Sequence, residues 1–380
     1  MGPVDRLIAN PQAFDHTPEA DEQFLAAMRD NFRRHYRECH PYARWCDMMG
    51  VQPGQIKTYE DVFRIPHIFV TNFKKRKFVT GDEDQVRLVL TSSGTAGEKS
   101  AIYLDRKSLS RITKIVHSIY AAFGMVDYET ATNYLAFTYD PRVAKDLGTA
   151  FSDKLLTGLT KVAAVHYAII FDRKTQAFEL DRRRCVKALE RFAADGRPFR
   201  MLGFPALIWE VLEEACEREG RRFSFGESSY VIIGGGWKNK ADQEIPKEHF
   251  RRKVGEWLGI PPANVRDLYG MVEHGVPYCE CEHGEMHVPI YSRVAVRDPA
   301  TLRLLEPGQV GLFQMLTPYL HSFPALSLLT SDVGRLHHGC RCGRNAPRLE
   351  ILGRGGITRH KGCAIAALDV IGETPEGASQ

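Results

Sequence analysis

Apolar positions along the first fifty residues recur at helical spacing. Phe24, Met28, Phe32 and Tyr36 fall on one face of a helix, and "HPYARWCDMMG" (40–50) closes the stretch with aromatic packing residues and a glycine stop. "IPHIFVTNF" (65–73) reads as a Pro-bounded connector, and Val86, Leu88, Val89 and Leu90 as a strand that breaks into "TSSGTAGEKS". Lys107 to Phe123 is amphipathic and stops at Gly124. "NYLAFTY" (133–139) and "VAAVHYAIIF" (162–171) read as buried strands, with helical "DLGTAFSDKLLTGL" (146–159) between them. A helix over Val186–Ala194, a strand and turn in "FRMLGFP", a helix over Ala206–Glu219, a buried strand in "SYVIIGGGW" and a helix over Pro246–Leu258 follow.

Strands alternating with helices predict an α/β fold with mostly parallel sheets and flanking helices. After about residue 285 the period changes. "HVPIYSRVAVRDPATLRLLEPGQVGLFQML" alternates apolar and polar residues, with turn signals at Asp298-Pro299 and Pro307-Gly308, and reads as a hairpin or small β lobe. The expected organisation is an α/β core over 1–285, a β lobe over 286–354 and a short tail over 355–380 whose end, "GETPEGASQ", reads as disordered.

Composition changes this picture little. The 380 residues are 43% hydrophobic and 26% charged with a net charge of +4, an ordinary globular balance without the concentrated basic face of a nucleic-acid binder. Lys74-Lys75-Arg76-Lys77, the densest basic run, reads as a solvated turn. No stretch approaches the ~20 apolar residues of a membrane helix, and the N-terminus has no apolar signal region, so the expectation is a cytoplasmic protein. Nine cysteines in such a chain point to metal or catalysis before disulfides.

The candidate chemistry lies in four places. Thr91, Ser92, Ser93, Gly94, Thr95 and Gly97, with Lys99, offer hydroxyls, backbone N–H groups and one cation, the chemistry of a polyphosphate cradle, although the spacing is neither G-x-x-x-x-G-K-[ST] nor G-x-G-x-x-G. "DLYGMVEHG" (267–275) sets Glu273 and His274 just after Tyr269-Gly270, a carboxylate suited to Mg²⁺ beside an aromatic suited to a nucleobase. Asp332, and Arg354 in "LEILGRGG", are a carboxylate and a guanidinium suited to a ribose diol and a phosphate. "CECEHGEMH" (279–287) and "HHGCRCGR" (337–344) pair two C-x-C elements with histidines. Cys281, His287, Cys340 and Cys342 are the expected ligands of a structural zinc, with Cys279 or His283 as substitutes.

As a set and in this order, these pieces resemble the adenylate-forming superfamily over roughly residues 60–360. The stretch from Thr91 to Lys99 is similar to its Thr-Ser-Gly-Thr-Thr-Gly-x-x-Lys loop, with Ala96 in place of a Thr. "YGMVE" is similar to its Tyr-Gly-x-Thr-Glu motif, with Val272 in place of Thr. The resemblance implies an ATP- and Mg²⁺-dependent enzyme that activates a carboxylic acid as acyl-AMP. It places Gly235 and Gly236 of "IIGGGW" beside the adenine and acyl groups, Asp332 on the ribose, and Arg354 at the hinge. It is closest to the acyl-protein synthetases (LuxE-like), related to phenylacetate-CoA ligases, some of which carry a similar zinc knuckle. Only 26 residues follow Arg354, which leaves no room for the superfamily's full C-terminal lid.

In that subfamily a cysteine near the C-terminus accepts the acyl group. Cys363, flanked by Arg359, His360 and Lys361, is the matching residue, and cationic neighbours favour its thiolate. His274 is expected to face the acyl carbonyl, and Lys361 to touch the α-phosphate in place of the lid lysine. The resemblance implies a partner protein, such as a reductase subunit, as final acceptor, with homo- or hetero-oligomers allowed. The rival readings are an acyl- or aryl-CoA ligase, in which CoA attacks directly, and a non-catalytic zinc-stabilised scaffold.

Overall fold

The computed structural model describes residues 1–91, 100–139, 148–172, 177–237, 240 and 243–354. Contacts divide them into two compact units. One comprises 1–122, 271–276 and the described residues from His287 onward; the other comprises 123–270 and 277–286.

The first unit starts with three helices, α1 (Pro3–Ala9), α2 (Pro18–Glu38) and α3 (His40–Met48). Each carries a proline in its first turn, where the missing N–H costs nothing, and α2 is capped by Thr17, whose side chain accepts from the Ala20 N–H. The expected apolar face is present: Phe24, Met28 and Phe32 are fully buried. Strand β1 (Ile68–Phe69) follows, then the antiparallel pair β2 (Val86–Thr91) and β3 (Ala101–Asp105), in which Thr91 opposes Ala101. Asp105 caps α4 (Arg106–Ala121) by accepting from the Ser108 N–H at 2.7 Å.

The β-rich part of this unit is one sheet in the order β11 (Met286–His287), β15 (Arg348–Arg354), β14 (Ser327–His337), β13 (Gly311–Leu316), β12 (Arg293–Arg297). β1 adds to β14 in parallel, Ile68 opposite Leu328, so the connector read at 65–73 holds a short strand. Burial on both sides explains its apolar composition. Leu312, Leu329 and Val333 form a core that Phe69, Leu302 and Val310 cover.

His35 of α2 shows how this unit responds to pH. Its ring is fully buried; Nδ1 faces Thr80 Oγ1 at 2.7 Å and Nε2 faces the Leu320 carbonyl at 3.1 Å. Burial, aided by the Arg34 charge, pushes the imidazole down to about 3. Because the folded value lies below the unfolded one, this group's stabilisation is complete above about pH 6.5 and is lost as pH falls toward 3, with a slope of up to about 1.4 kcal/mol per pH unit. Acid titration of the melting temperature is expected to flatten between pH 6.5 and 4 in His35→Gln.

The second unit is a seven-stranded sheet in the order β10 (Tyr278–Cys279), β9 (Val265–Tyr269), β8 (Tyr230–Gly234), β7 (Phe199–Gly203), β4 (Asp127–Tyr139), β5 (Thr160–Asp172), β6 (Ala177–Leu180). The five inner strands are parallel and the two edges, β6 and β10, antiparallel. α5 (Gly148–Thr157) links β4 to β5. α6 (Arg182–Asp195), α7 (Pro205–Glu213) and α8 (Lys247–Leu258) bury Leu189, Phe192, Ile208, Leu212, Phe250 and Trp257 with Phe199, Met201 and Val231 of the sheet. The predicted α/β class is therefore the observed one, with parallel pairing prevailing in this sheet and antiparallel pairing in the sheet of the first unit. No helix among the described residues is long and apolar enough to cross a membrane.

Candidate functional site

In open parallel sheets ligands lie beyond the carboxyl ends of the strands. In the second unit β8 runs into Gly234-Gly235-Gly236-Trp237, and β9 beside it runs into Tyr269-Gly270, with Gly234 paired to Leu268. Gly235 and Gly236 have φ of +78° and +64°, a conformation side chains resist, so the chain turns sharply off the strand end. A Cβ on Gly236 or Gly270 would meet nothing within 4 Å, so both backbones border open space. An open cleft is lined by Gly236 together with Pro205, Trp237, Ile245, Phe250 and Asp267. Backbone bare of side chains next to an aromatic ring and a cleft fits a flat heterocycle such as a nucleobase.

The first unit holds the candidate charged groups. Glu273 is 8% exposed, in a turn where the His274 and Gly275 N–H groups donate to the Met271 carbonyl. His274 is fully buried, with Nε2 at 3.2 Å from Ser292 Oγ, and burial pushes it down to about 3, so the ring is neutral. His274 so lies buried in the same turn as Glu273, beside Ser292. Gly275 (φ +76°) is required: a Cβ there would lie 1.9 Å from Tyr319 Oη. Asp332, 5% exposed on β14, is the direct cross-strand partner of Arg354 on β15, and Arg354 Nε donates to Asp332 Oδ1 at 3.0 Å. The Arg354 side chain is 83% exposed, so this pair contributes about 0–1 kcal/mol and the guanidinium is free to turn to another anion.

Thr91 ends β2. Ser92, Ser93, Gly94, Thr95, Gly97 and Lys99 lie outside the described residues, as do Arg359, His360, Lys361 and Cys363. A single hard carboxylate such as Glu273, completed by substrate phosphates and water, fits the way Mg²⁺ is bound in nucleotide enzymes.

Within the first unit the ligand atoms of His287, Cys340 and Cys342 all lie within 4.8 Å of one another, and Cys281 of the second unit is the expected fourth ligand. Zn–S bonds of about 2.3 Å span a tetrahedral edge of about 3.8 Å, so a small contraction would close the site. Two matching turns build it. In each, the N–H two residues on donates to the cysteine Sγ (His283 N–H to Cys281, 3.4 Å; Cys342 N–H to Cys340, 3.5 Å). In each, the N–H of a glycine three residues on donates to the cysteine carbonyl (Gly284, 3.0 Å; Gly343, 3.1 Å), with φ of +78° and +79°. His287 Nδ1 faces the Ala346 carbonyl at 3.3 Å and its Nε2 faces Cys342 Sγ at 3.3 Å, which turns Nε2 toward the cysteines, as a metal-binding imidazole requires. Burial pushes the Cys342 thiol up, but hydrogen bonds with Arg344 and Cys340 and the Arg344 charge outweigh it, leaving it below its ordinary value. This donor set fits zinc. Cys279 and His283 stand outside the group.

Comparison with known proteins places this geometry. The model of the family described as "Acyl-protein synthetase, LuxE" matches residues 2–371. The chain belongs to the LuxE acyl-protein synthetase family. It is thus an enzyme of the ligase class. It is 28% identical over 344 residues to the long-chain-fatty-acid–luciferin-component ligase of Vibrio harveyi, covering 88% of this chain and 84% of that protein. It is 25% identical over 377 residues to the protein of the same name from Aliivibrio fischeri, covering 97% and 94%. Among solved structures, 2-hydroxyisobutyryl-CoA ligase in an open conformation with 2-HIB-AMP and CoA superposes with a TM-score of 0.70 at 18% identity, covering 90% of this chain and 77% of that one. That likeness shows the fold, an adenylate-forming core.

Two features escaped sequence reasoning. The C-x-x-G spacing shared by Cys281–Gly284 and Cys340–Gly343 was legible as a metal-turn signal. The cluster of Lys247, Arg251 and Asp267 around the buried Glu280 had no signal, because its members lie on three separate elements.

Proposed function

We propose that this LuxE-family enzyme activates a long-chain fatty acid with ATP and passes the acyl group through Cys363 to a partner protein. The observation that carries the reading is the pair of neighbouring strand ends at Gly236 and Gly270, where a Cβ would meet open space, with Gly236 lining an open cleft and Tyr269 offering a ring to the adenine. The V. harveyi and A. fischeri relatives, named for fatty-acid ligation to a luciferin component, support the acid class.

In the first step a carboxylate oxygen attacks the α-phosphorus, and pyrophosphate leaves. Lys99 and the N–H groups of residues 91–97 offset charge on the phosphates, while Asp332 accepts hydrogen bonds from the ribose hydroxyls. Arg354, held beside Asp332 only by an exposed contact, turns to the nucleotide phosphate. Glu273 is the residue that would hold Mg²⁺, which would supply charge neutralisation of the polyphosphate. In the second step the Cys363 thiolate attacks the acyl carbonyl and AMP leaves, giving a thioester on the enzyme. An acyl-accepting protein of the reductase-subunit kind then receives the acyl group. The zinc at Cys281, His287, Cys340 and Cys342, with its ligand set filled by protein, is structural.

The test is exchange of labelled pyrophosphate into ATP across a series of fatty acids. Exchange is expected to require the acid and to fall about 10²–10³-fold in Lys99→Met, the loss typical of a preorganised charge at a reacting phosphate. Exchange that ignores the acid, or survives in Lys99→Met, contradicts the assignment.

A further inference from the structure

Glu280 is the least exposed acid of the second unit's charged cluster, its side chain only 2% accessible. Its Oε2 accepts the Asp267 N–H at 2.6 Å and pairs with Arg251, while Oε1 lies 3.4 Å from Lys247 Nζ. The Glu280 N–H in turn donates to the Asp267 carbonyl at 3.1 Å, and Arg266 Nη1 donates to the Glu280 carbonyl at 3.3 Å. Asp267 completes the cluster through Lys247 Nζ at 2.8 Å. Lys247 and Arg251 stand one turn apart on α8 and so share a face.

The electrostatics are unusual for a helix. Lys247 is the first residue of α8, where the dipole disfavours a cation. Two carboxylates, Asp267 and Glu280, offset that cost, so the lysine serves the cluster and not its own helix. The cluster grips β9 at Asp267, two residues before Tyr269, and β10 at the residue after Cys279. The same pairing sets Tyr278 opposite Tyr269, with ring centroids 6.0 Å apart. Lys247, half exposed, lines the cleft together with Gly236 and Asp267.

We infer that Glu280 and Lys247 are positioning residues for nucleotide binding. By holding the Asp267 amide and carboxylate, they fix the height at which Tyr269-Gly270 leaves the sheet. This rests on the nucleotide site proposed above. The alternative, that Lys247 grips a phosphate directly, is separable because it predicts no effect on a nucleoside that lacks phosphate.

The experiment is calorimetric titration of ATP and, separately, adenosine into wild type, Lys247→Met and Glu280→Gln, with melting temperatures recorded in parallel. Lys247→Met keeps the bulk of a half-exposed side chain and is expected to fold. It is expected to weaken ATP and adenosine by the same factor, about tenfold, the scale of one lost charge-assisted hydrogen bond. Glu280→Gln keeps an acceptor for the Asp267 N–H and is expected to lose less. Both ligands binding Lys247→Met as they bind wild type, or ATP alone weakening, overturns the positioning role while leaving the nucleotide site standing. Failure of wild type to bind either ligand overturns the nucleotide site, and this inference with it.

Discussion

Cys363→Ser is expected to abolish hydroxylamine-labile acyl labelling of the protein while acid-dependent pyrophosphate exchange stays within about twofold of wild type. The split follows from the order of the two steps. In the proposed scheme adenylation uses the stretch ending at Lys99, Glu273 and the strand ends at Gly236 and Tyr269, none of which needs a thiol. Only the second step forms a bond to sulfur. Arg359, His360 and Lys361 beside Cys363 favour the thiolate, the attacking form. A serine there is a far poorer nucleophile at neutral pH, and any ester it formed would resist neutral hydroxylamine. Labelling of wild type and variant is read on a denaturing gel before and after hydroxylamine. Equal label in both sinks the assignment of Cys363, and transfer to added CoA in both favours a CoA ligase.

The second large effect concerns the metal. Purified protein is expected to contain about one zinc per chain, and Cys340→Ser to lose it and melt about 10 °C lower, because metal affinity in such a site is folding free energy. Cys340 carries two loads: it offers Sγ as a ligand, and its thiol and carbonyl receive the N–H groups of Cys342 and Gly343 that shape the turn. Serine keeps the carbonyl bond and loses the soft ligand, so the effect isolates the metal. Cys279→Ser, outside the cluster, is the control and should keep its zinc. Elemental analysis and thermal melts with and without a chelator check both. Full stability without zinc would show the cluster to be free thiols.

What was legible in the sequence follows from how local each signal is. The glycine run at 234–236 carries its geometry in its own residue types and falls at a strand end as expected; Tyr269 also closes a strand, which the sequence motif did not signal. The candidate metal ligands were readable because soft donors are rare and clustered. β1, β10 and β11 were not legible: each is two residues long, and its pairing is decided elsewhere, as when Ile68 finds Leu328. The first fifty residues looked like one helical stretch because apolar spacing hides the breaks that Pro18 and Pro41 impose at new helix starts. Asp332 and Arg354 were readable as residue types, but their cross-strand pairing depends on a register shift between Val333 and Gly334. His274 showed the same limit: its contact with Ser292 and its full burial depend on residues distant in sequence.

The central claim, that one chain makes an acyl adenylate and then acylates its own cysteine, is tested most directly by a single-turnover quench. Enzyme in excess is mixed with ATP, Mg²⁺ and a labelled long-chain fatty acid, and acyl-AMP and protein-bound acyl are followed together in time. The account predicts that acyl-AMP rises first with one pyrophosphate released per acyl group, then decays as a thioester on Cys363 grows at the same rate. Protein label appearing without a preceding acyl-AMP, or acyl-AMP persisting unchanged while no thioester forms, would contradict it.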